Sequence, residues 1–402
     1  MEIRSTSDQD LKVFVDTMHV AFGRFPETPA EGTGVWWSAL EMDRNLLAVT
    51  ADGRPVGTAG AYTFELTLPG EVLAPVAGIT FVGVLPSHRR QGVLSAMMRH
   101  QLTGLRARGE FLSVLLSSEA SIYGRFGYGP ATYTQRLTVQ RHRAAFAPPR
   151  NPAAATAGSV EVLRRAECGA VLEEVYDRYR RAQPGALSRP HRWWESSAGQ
   201  PPVAATPRYV AVHRDADGMP DGYASYALDS GTLTVDETIA VDDAAFTALA
   251  RFVLGHDLVT EVVFKHFPNE HPLRWQFADF RAGVVSNHTD WLWVRLLDVP
   301  RALTTRGWFA DGELVLDVDD PFLGERGRYL LTVRDGRAAC VPTDREPDLS
   351  LDVRDLGAVY LGGTAPSVLV RAGHVRAHRA GAAAEADDLF RTDRPPHCLH
   401  WF

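Results

Sequence analysis

The residues best suited to chemistry stand in Val82-Gly83-Val84-Leu85-Pro86-Ser87-His88-Arg89-Arg90-Gln91-Gly92-Val93-Leu94, where an apolar strand pattern runs into an arginine- and glycine-rich turn and then a helix pattern. The first amides of a helix have no intrahelical partners, and the helix dipole favours negative charge beside them. Arg89 and Arg90 add cationic donors, and Gly92 lacks the Cβ that would hold a phosphate away from the backbone. Such a turn can grip a pyrophosphate, which points to a nucleotide-bearing cofactor. The plainer reading is a solvated helix start, and the apolar strand before it and the amphipathic helix after it favour the first.

The chain end is the second unusual stretch. Pro395 and Pro396 stiffen an extended tail that closes with His397-Cys398-Leu399-His400-Trp401-Phe402. Chain ends are usually mobile and polar, whereas Leu399, Trp401 and Phe402 carry apolar surface best buried. Burying Phe402 would bring the α-carboxylate inside, where desolvation raises its pKa toward the range useful to a base. Two readings of the tail stand on sequence alone: a base delivered to a site, or aromatics that only dock. His397, Cys398 and His400 lack a fourth ligand nearby, so no metal is expected. Cys168, Cys340 and Cys398 are widely spaced and read as three reduced thiols.

These groups need elements to position them. Residues 1–145 read as an α/β unit: a helix through Leu11, Phe14, Val15, Met18 and Phe22, a hairpin through Leu46 to Val49 and Val56 to Thr63, then a strand from Val76 to Val84. The turn follows, then a helix with the apolar face Leu94, Met97, Met98, Leu102 and Leu105, and a buried parallel strand from Phe111 to Leu116. Residues 146–158, rich in Pro and Ala, read as a linker. The rhythm then repeats over 146–290, with a helix at Cys168 to Arg181, strands near Tyr209, Gly222 and Leu233, a helix at Ala244 to Leu254 and a strand at Val259 to Phe267. The corresponding turn reads Val241-Asp242-Asp243-Ala244-Ala245, and two aspartates would repel a pyrophosphate. This copy is expected to keep the fold and lack the cofactor. Over 291–402, alternation at Leu314, Leu316 and Val318 and at Leu349, Leu351 and Val353, flanked by helices near Leu356 and Ala382 to Phe390, predicts an α+β third domain.

Arg89 to Leu94 resembles the acyl-CoA-binding motif of the GNAT N-acetyltransferases, R/Q-x-x-G-x-G/A, with Leu94 in place of the last Gly or Ala. The resemblance implies that the strands flanking the motif helix splay to admit pantetheine. It also implies that Tyr123, within Ser118 to Pro130, faces the thioester sulfur as general acid. Tyr128 is the competing phenol, and a packing role for Tyr123 is the alternative.

Taken with the degenerate second unit, the span Ile122 to Gly129 and the terminal Phe402, the whole chain resembles the Eis, or enhanced intracellular survival, acetyltransferases. That resemblance implies tandem GNAT domains, the first active and the second degenerate, followed by a sterol-carrier-protein-like domain, assembled as a homohexamer. It implies acetyl-CoA as cosubstrate and amines, aminoglycosides among them at several positions, as acceptors. Tyr123 would be the acid and the Phe402 carboxylate the base. The cofactor contacts it implies are Val82, Gly83 and Val84, Arg89 and Arg90, Gln91, Gly92, Val93, Leu94 and Ser95, with Ser118 and Glu119. Trp36, Trp37, Phe81 and Trp401 are the expected substrate-binding residues. At the penultimate position Trp401 stands where an acidic residue would help to bind an amine.

The 402 residues carry a formal net charge of −7, which argues against nucleic acid as a partner and favours cationic ones. No run approaches the ~18–20 apolar residues of a membrane span, and the start, Met1 to Thr6, lacks the features of a secretory signal, so a cytoplasmic protein is expected. Two rival functions are a non-enzymatic lipid- or CoA-binding regulatory protein and a protein lysine acetyltransferase. The intact Arg89/Arg90/Gly92 turn speaks against the first, since a dead unit would be free to lose it.

Overall fold

A computed structural model of the chain describes residues 1–23, 39–148, 158–164, 167–196 and 208–402. The first stretch forms β1 (Glu2–Ser5), α1 (Leu11–Ala21), β2 (Leu46–Val49), β3 (Pro55–Leu68), β4 (Val72–Val84), α2 (Val93–Ala107), β5 (Leu112–Leu116), α3 (Ala120–Tyr123) and β6 (Gly129–Pro130). Next come β7 (Tyr133–Gln140), β8 (Ser159–Arg164), α4 (Val171–Ala182), α5 (His191–Ser196), β9 (Tyr209–Arg214), β10 (Pro220–Asp229), β11 (Thr232–Ala240), α6 (Asp243–Leu254), β12 (Glu261–Phe267), α7 (Leu273–Gln276), β13 (Gly283–Asp290) and β14 (Leu292–Leu296). The last stretch forms α8 (Val299–Thr305), β15 (Gly312–Asp320), β16 (Glu325–Arg334), β17 (Arg337–Pro342), β18 (Leu349–Asp352), α9 (Val353–Val359), α10 (Pro366–Arg371), β19 (Arg376–Ala377) and α11 (Ala382–Phe390).

The amphipathic helices form where their spacing predicts. On α1, Phe14, Thr17, Met18 and Ala21 are buried, and on α2 Val93, Met97, Met98, Leu102 and Leu105 turn inward, one stripe at 3.6-residue spacing. The β3–β4 hairpin is longer than its alternation suggests, pairing from Leu68↔Val72 to Gly57↔Val84. Its far end is held by burial of Leu66 and Leu68 in the same apolar cluster as Leu314 and Leu331 of the third domain, a partner invisible to local pattern.

The sheets cross the boundaries expected at 145 and 290. One sheet has the order β1-β2-β3-β4-β5-β14-β6 and the next β13-β7-β12-β11-β10-β9-β8. Strand for strand these are the same arrangement, except that the units exchange a strand. β7, which follows the first unit in the chain, lies antiparallel to β12, and β14, which follows the second, lies antiparallel to β5. Phe146, in the expected linker, already bridges Phe277 of the central layer, while 149–157 lie outside the described residues. The third domain is a five-stranded sheet, β17-β16-β15-β18-β19, flanked by helices. Its buried Leu316, Leu351 and Phe390 share one continuous core with Phe64, Val114 and Leu292 of the first sheet.

Candidate active site

The expected cofactor groove opens where β4 loses its neighbour. β4 pairs in parallel with β5 only at Ala77↔Ser113, Gly78↔Val114 and Ile79↔Leu115. Beyond that point the register with β3 shifts between Thr58 and Gly60, Phe81 takes φ +53°, and the Thr58 hydroxyl donates to the Phe81 carbonyl at 2.7 Å. A bulge of this kind bends its strand. Thr80 to Val84, with Val82, Gly83 and Val84 among them, are half-buried and face a gap on the β5 side, whereas Val76 to Ile79 are buried. The Ser117 hydroxyl, just beyond β5, is buried without a partner among the described residues, a polar group a bound amide could satisfy.

The turn closes this groove at one end. Gly92 caps α2 in the left-handed region, φ +82°, with no side chain satisfying the first amides, and a Cβ there would meet nothing within 4 Å. The first helical bond runs from Ala96 to the Gly92 carbonyl, which leaves the amides of Val93, Leu94 and Ser95 for an anion. Arg89 is partly committed to structure, donating to the Ala21 carbonyl at 3.1 Å and to Val84 at 3.4 Å. Gln91 donates to Ser87 at 3.3 Å, while Arg90, at φ +61°, is exposed. In the central unit, by contrast, the Asp242 carboxylate accepts from the Ala245 amide at 2.8 Å. There the helix start is satisfied by its own side chain, as well as guarded by negative charge.

Tyr123 closes the short helix α3 after the exposed Ser118 and Glu119. It packs with Ala77, Ile79 and Leu115, and its hydroxyl has no hydrogen-bond partner among the described residues. Burial, and then the negative charge of Glu119, push its phenol up to about 12. It therefore holds its proton at neutral pH and can donate it. Tyr128 differs, being fully buried and sharing a 2.7 Å hydrogen bond with Ser113.

The tail threads back to the first sheet. The His397 amide donates to Pro184 at 2.8 Å, Gln183 donates to the Pro395 carbonyl at 2.9 Å, and Leu399 packs on the cluster of Cys168, Leu172 and Tyr176. His400 sits edge-on to Phe64 and Trp193, at 5.3 and 4.8 Å. The Phe402 ring lies 5.1 Å from that of Phe64, and a Cβ on Gly78 would come within 3.0 Å of it. Since side chains alternate along a strand, Ala77 and Ile79 face one way and Gly78 the other. Tyr123 and Phe402 thus flank the end of the β4–β5 pairing from opposite faces of the sheet.

Aromatic side chains surround the Phe402 side. Tyr62 contacts Trp193 at 4.7 Å and Phe81 at 5.7 Å, and Phe14 closes on Phe81 at 6.2 Å. Glu41 adds a carboxylate, accepting from the Thr63 amide at 3.1 Å and paired with Arg192. Trp401 turns outward and is 52% exposed. Trp36 and Trp37 lie outside the described residues. Among the described residues no group of three or more His, Cys, Asp or Glu is placed to hold a metal.

Several neighbours of the site escaped sequence reasoning. Trp193 carried no motif, His400 figured only among tail residues not expected to hold a metal, and Ser117 and Gly78 are ordinary strand-end and strand residues. The one available signal was Gly78, a glycine inside an apolar strand run, which often marks a close approach.

A splayed β4, an uncapped helix start and a buried phenol define a GNAT acetyltransferase unit. Residues 2–131 and 185–296 match two families, each described as acetyltransferase (GNAT) domain, and residues 299–399 match the sterol carrier protein domain. An uncharacterised N-acetyltransferase of Streptomyces griseus is 37% identical over 359 residues, 86% of each chain. The N-acetyltransferase Eis of Mycobacterium tuberculosis is 36% identical over 349 residues, 85% of this chain and 84% of that one. The crystal structure of Eis1 from Mycobacterium abscessus superposes with a TM-score of 0.86 at 33% identity, covering all of both chains. The chain belongs to the Eis family of N-acetyltransferases.

Proposed function

We propose that this enzyme transfers the acetyl group of acetyl-CoA to amines, aminoglycosides and other cationic amines among them, by direct attack. The observation that carries this reading is the convergence, at the end of the β4–β5 pairing, of an open helix start, a buried protonated phenol and a chain terminus.

Acetyl-CoA supplies the activated thioester. The amides of Val93 to Ser95, with Gly92, Arg90 and Gln91, hold its pyrophosphate. Val82 to Val84 offer strand amides and carbonyls to the pantetheine arm, with Ser118 and Glu119 at the far side. The Phe402 carboxylate takes the proton of the amine as its nitrogen forms the new amide bond. Tyr123 donates its proton to the sulfur as the carbon–sulfur bond breaks. No covalent enzyme intermediate is required. Phe81 and Trp401, with Trp36 and Trp37, form the acceptor side, where aromatic faces suit a cation.

The exposed stack of Trp275 on Phe280, 4.8 Å apart, supports assembly of subunits, which we read as a homohexamer in the cytoplasm. The three cysteines are buried and form no disulfide among the described residues, which suits a reducing compartment.

A thiol-release assay with acetyl-CoA and a panel of amines, aminoglycosides and lysine peptides tests the reading, alongside a variant extended by one glycine after Phe402. Extension should nearly abolish turnover and leave acetyl-CoA binding intact. Full turnover by the extended chain would remove the carboxylate from the chemistry. Lysine peptides outcompeting every small amine would reassign the acceptor class.

A further inference from the structure

The central unit keeps the cleft that its counterpart opens to a cofactor. β11 pairs in parallel with β12 only as far as Val235↔Phe264, and the β10–β11 register shifts between Ser225 and Tyr226, as β4 parts from β5 next to its own shift. Here the parted strands are lined by charge. Asp236 pairs with Lys265 and with Arg208, both at 2.5 Å. Glu237 takes the Arg189 guanidinium at 2.9 Å and the Tyr223 hydroxyl at 3.0 Å. Arg189 lies over the ring of Tyr176 at 4.0 Å and donates its Nε–H to Nδ1 of His400 at 3.2 Å. His400 stands two residues before the chain end.

We propose that the cofactor-less cleft of the central unit is the socket that sets the position of the C-terminal carboxylate, with Arg189 and Glu237 as positioning residues. This rests on the reading of the Phe402 carboxylate as the base. The chemistry of the contact explains the residue types. A guanidinium can grip the Glu237 carboxylate through its Nη groups and still offer Nε–H to an imidazole in a fixed direction. An ammonium has no such second, planar donor. The bond makes Nδ1 of His400 the acceptor and puts its proton on Nε2, so the ring is held neutral and oriented against Phe64 and Trp193. The last two residues then leave a fixed point, and the Phe402 ring reaches Gly78.

Arg189→Met, Arg189→Lys and Glu237→Gln are compared with wild type and with the chain extended by one glycine. The measurements are kcat and KM for thiol release from acetyl-CoA with an amine, and the rate at which a carboxypeptidase frees Phe402. We expect Arg189→Met to lower kcat about tenfold or more. KM for acetyl-CoA should stay unchanged and Phe402 should be released faster. Glu237→Gln should move in the same direction, and Arg189→Lys should recover part of kcat. If Arg189→Met fails to fold, the comparison is read on Glu237→Gln. Wild-type kcat and Phe402 release in the Arg189 and Glu237 variants, with an inactive extended chain, overturn the socket and leave the base in place. Equal losses in kcat and acetyl-CoA affinity overturn it too, as a general structural role. An active extended chain removes the base itself, and the socket with it.

Discussion

Tyr128 and Ser113 share a hydrogen bond of 2.7 Å in a fully buried setting, while Tyr123, at the end of α3 with its ring 6.3 Å away, has no such partner among the described residues. One phenol is spent on packing and the other is left with a proton to give.

Substitution should separate the two. Tyr123→Phe should lower kcat about a hundredfold or more while acetyl-CoA affinity, measured by calorimetry, stays unchanged. Tyr128→Phe leaves the Ser113 hydroxyl buried without a partner and should cost about 1–3 kcal/mol in denaturant unfolding, with most activity retained. Because burial raises the Tyr123 phenol to about 12, the folded state favours its protonated form. Stability from this group is complete below the ordinary tyrosine value of about 10 and lost as pH rises toward the folded value. A basic limb in kcat well below pH ~10 would not belong to Tyr123.

Gly92→Asp would give α2 the cap that Asp242 gives α6. The new carboxylate takes the open amides and repels phosphate, so acetyl-CoA should bind about tenfold more weakly or worse. The left-handed φ of +82° adds strain of about 1–2 kcal/mol. Unchanged affinity in calorimetry would place the pyrophosphate elsewhere.

Gly78→Ala tests the seat of the terminus. Its Cβ would stand 2.6 Å from the Phe64 ring and 3.0 Å from that of Phe402. Overpacking of this kind costs about 1–3 kcal/mol, and the end of the chain is the part freest to yield. Turnover should fall with acetyl-CoA binding intact; wild-type turnover in a folded variant would show that the ring need not sit there.

Acid should loosen the tail. Burial holds His397 down to about 4 and His400 well below the ordinary histidine range, the Arg189 charge adding to the latter. Burial likewise holds His271 at about 3, with the neighbouring His397 contributing. A histidine whose folded pKa is lowered stabilises the fold above its unfolded value near 6.5, and that stability is lost as pH falls toward the folded value. Each such group makes unfolding easier by up to about 1.4 kcal/mol per pH unit in that window. Melting temperature should therefore drop between pH ~6.5 and ~4, and His397→Asn should flatten the drop; an equally steep profile in that variant would assign the acid sensitivity to other groups.

Much of the site is local and was legible for that reason. The open helix start depends on Arg89 to Ser95 alone, and the degenerate copy announces itself in Asp242 and Asp243, one of which the structure shows capping its own helix. α1, α2 and α6 follow from apolar spacing. The tail was legible only as unusual, since Leu399 and Phe402 demand burial without saying against what.

Sequence by itself determined the Arg- and Gly-rich turn before α2, the two similar α/β units, the unequal fate of their turns and the presence of an aromatic chain end, because these depend on neighbours within a few residues. Tertiary structure alone decided that β7 and β14 change places between the units, that Tyr128 and not Tyr123 has its hydroxyl hydrogen-bonded among the described residues, and that Glu237 holds the Arg189 guanidinium that meets His400. Each of these is set by contacts between distant parts of the chain, where hydrogen bonding and burial choose among partners that local pattern cannot distinguish.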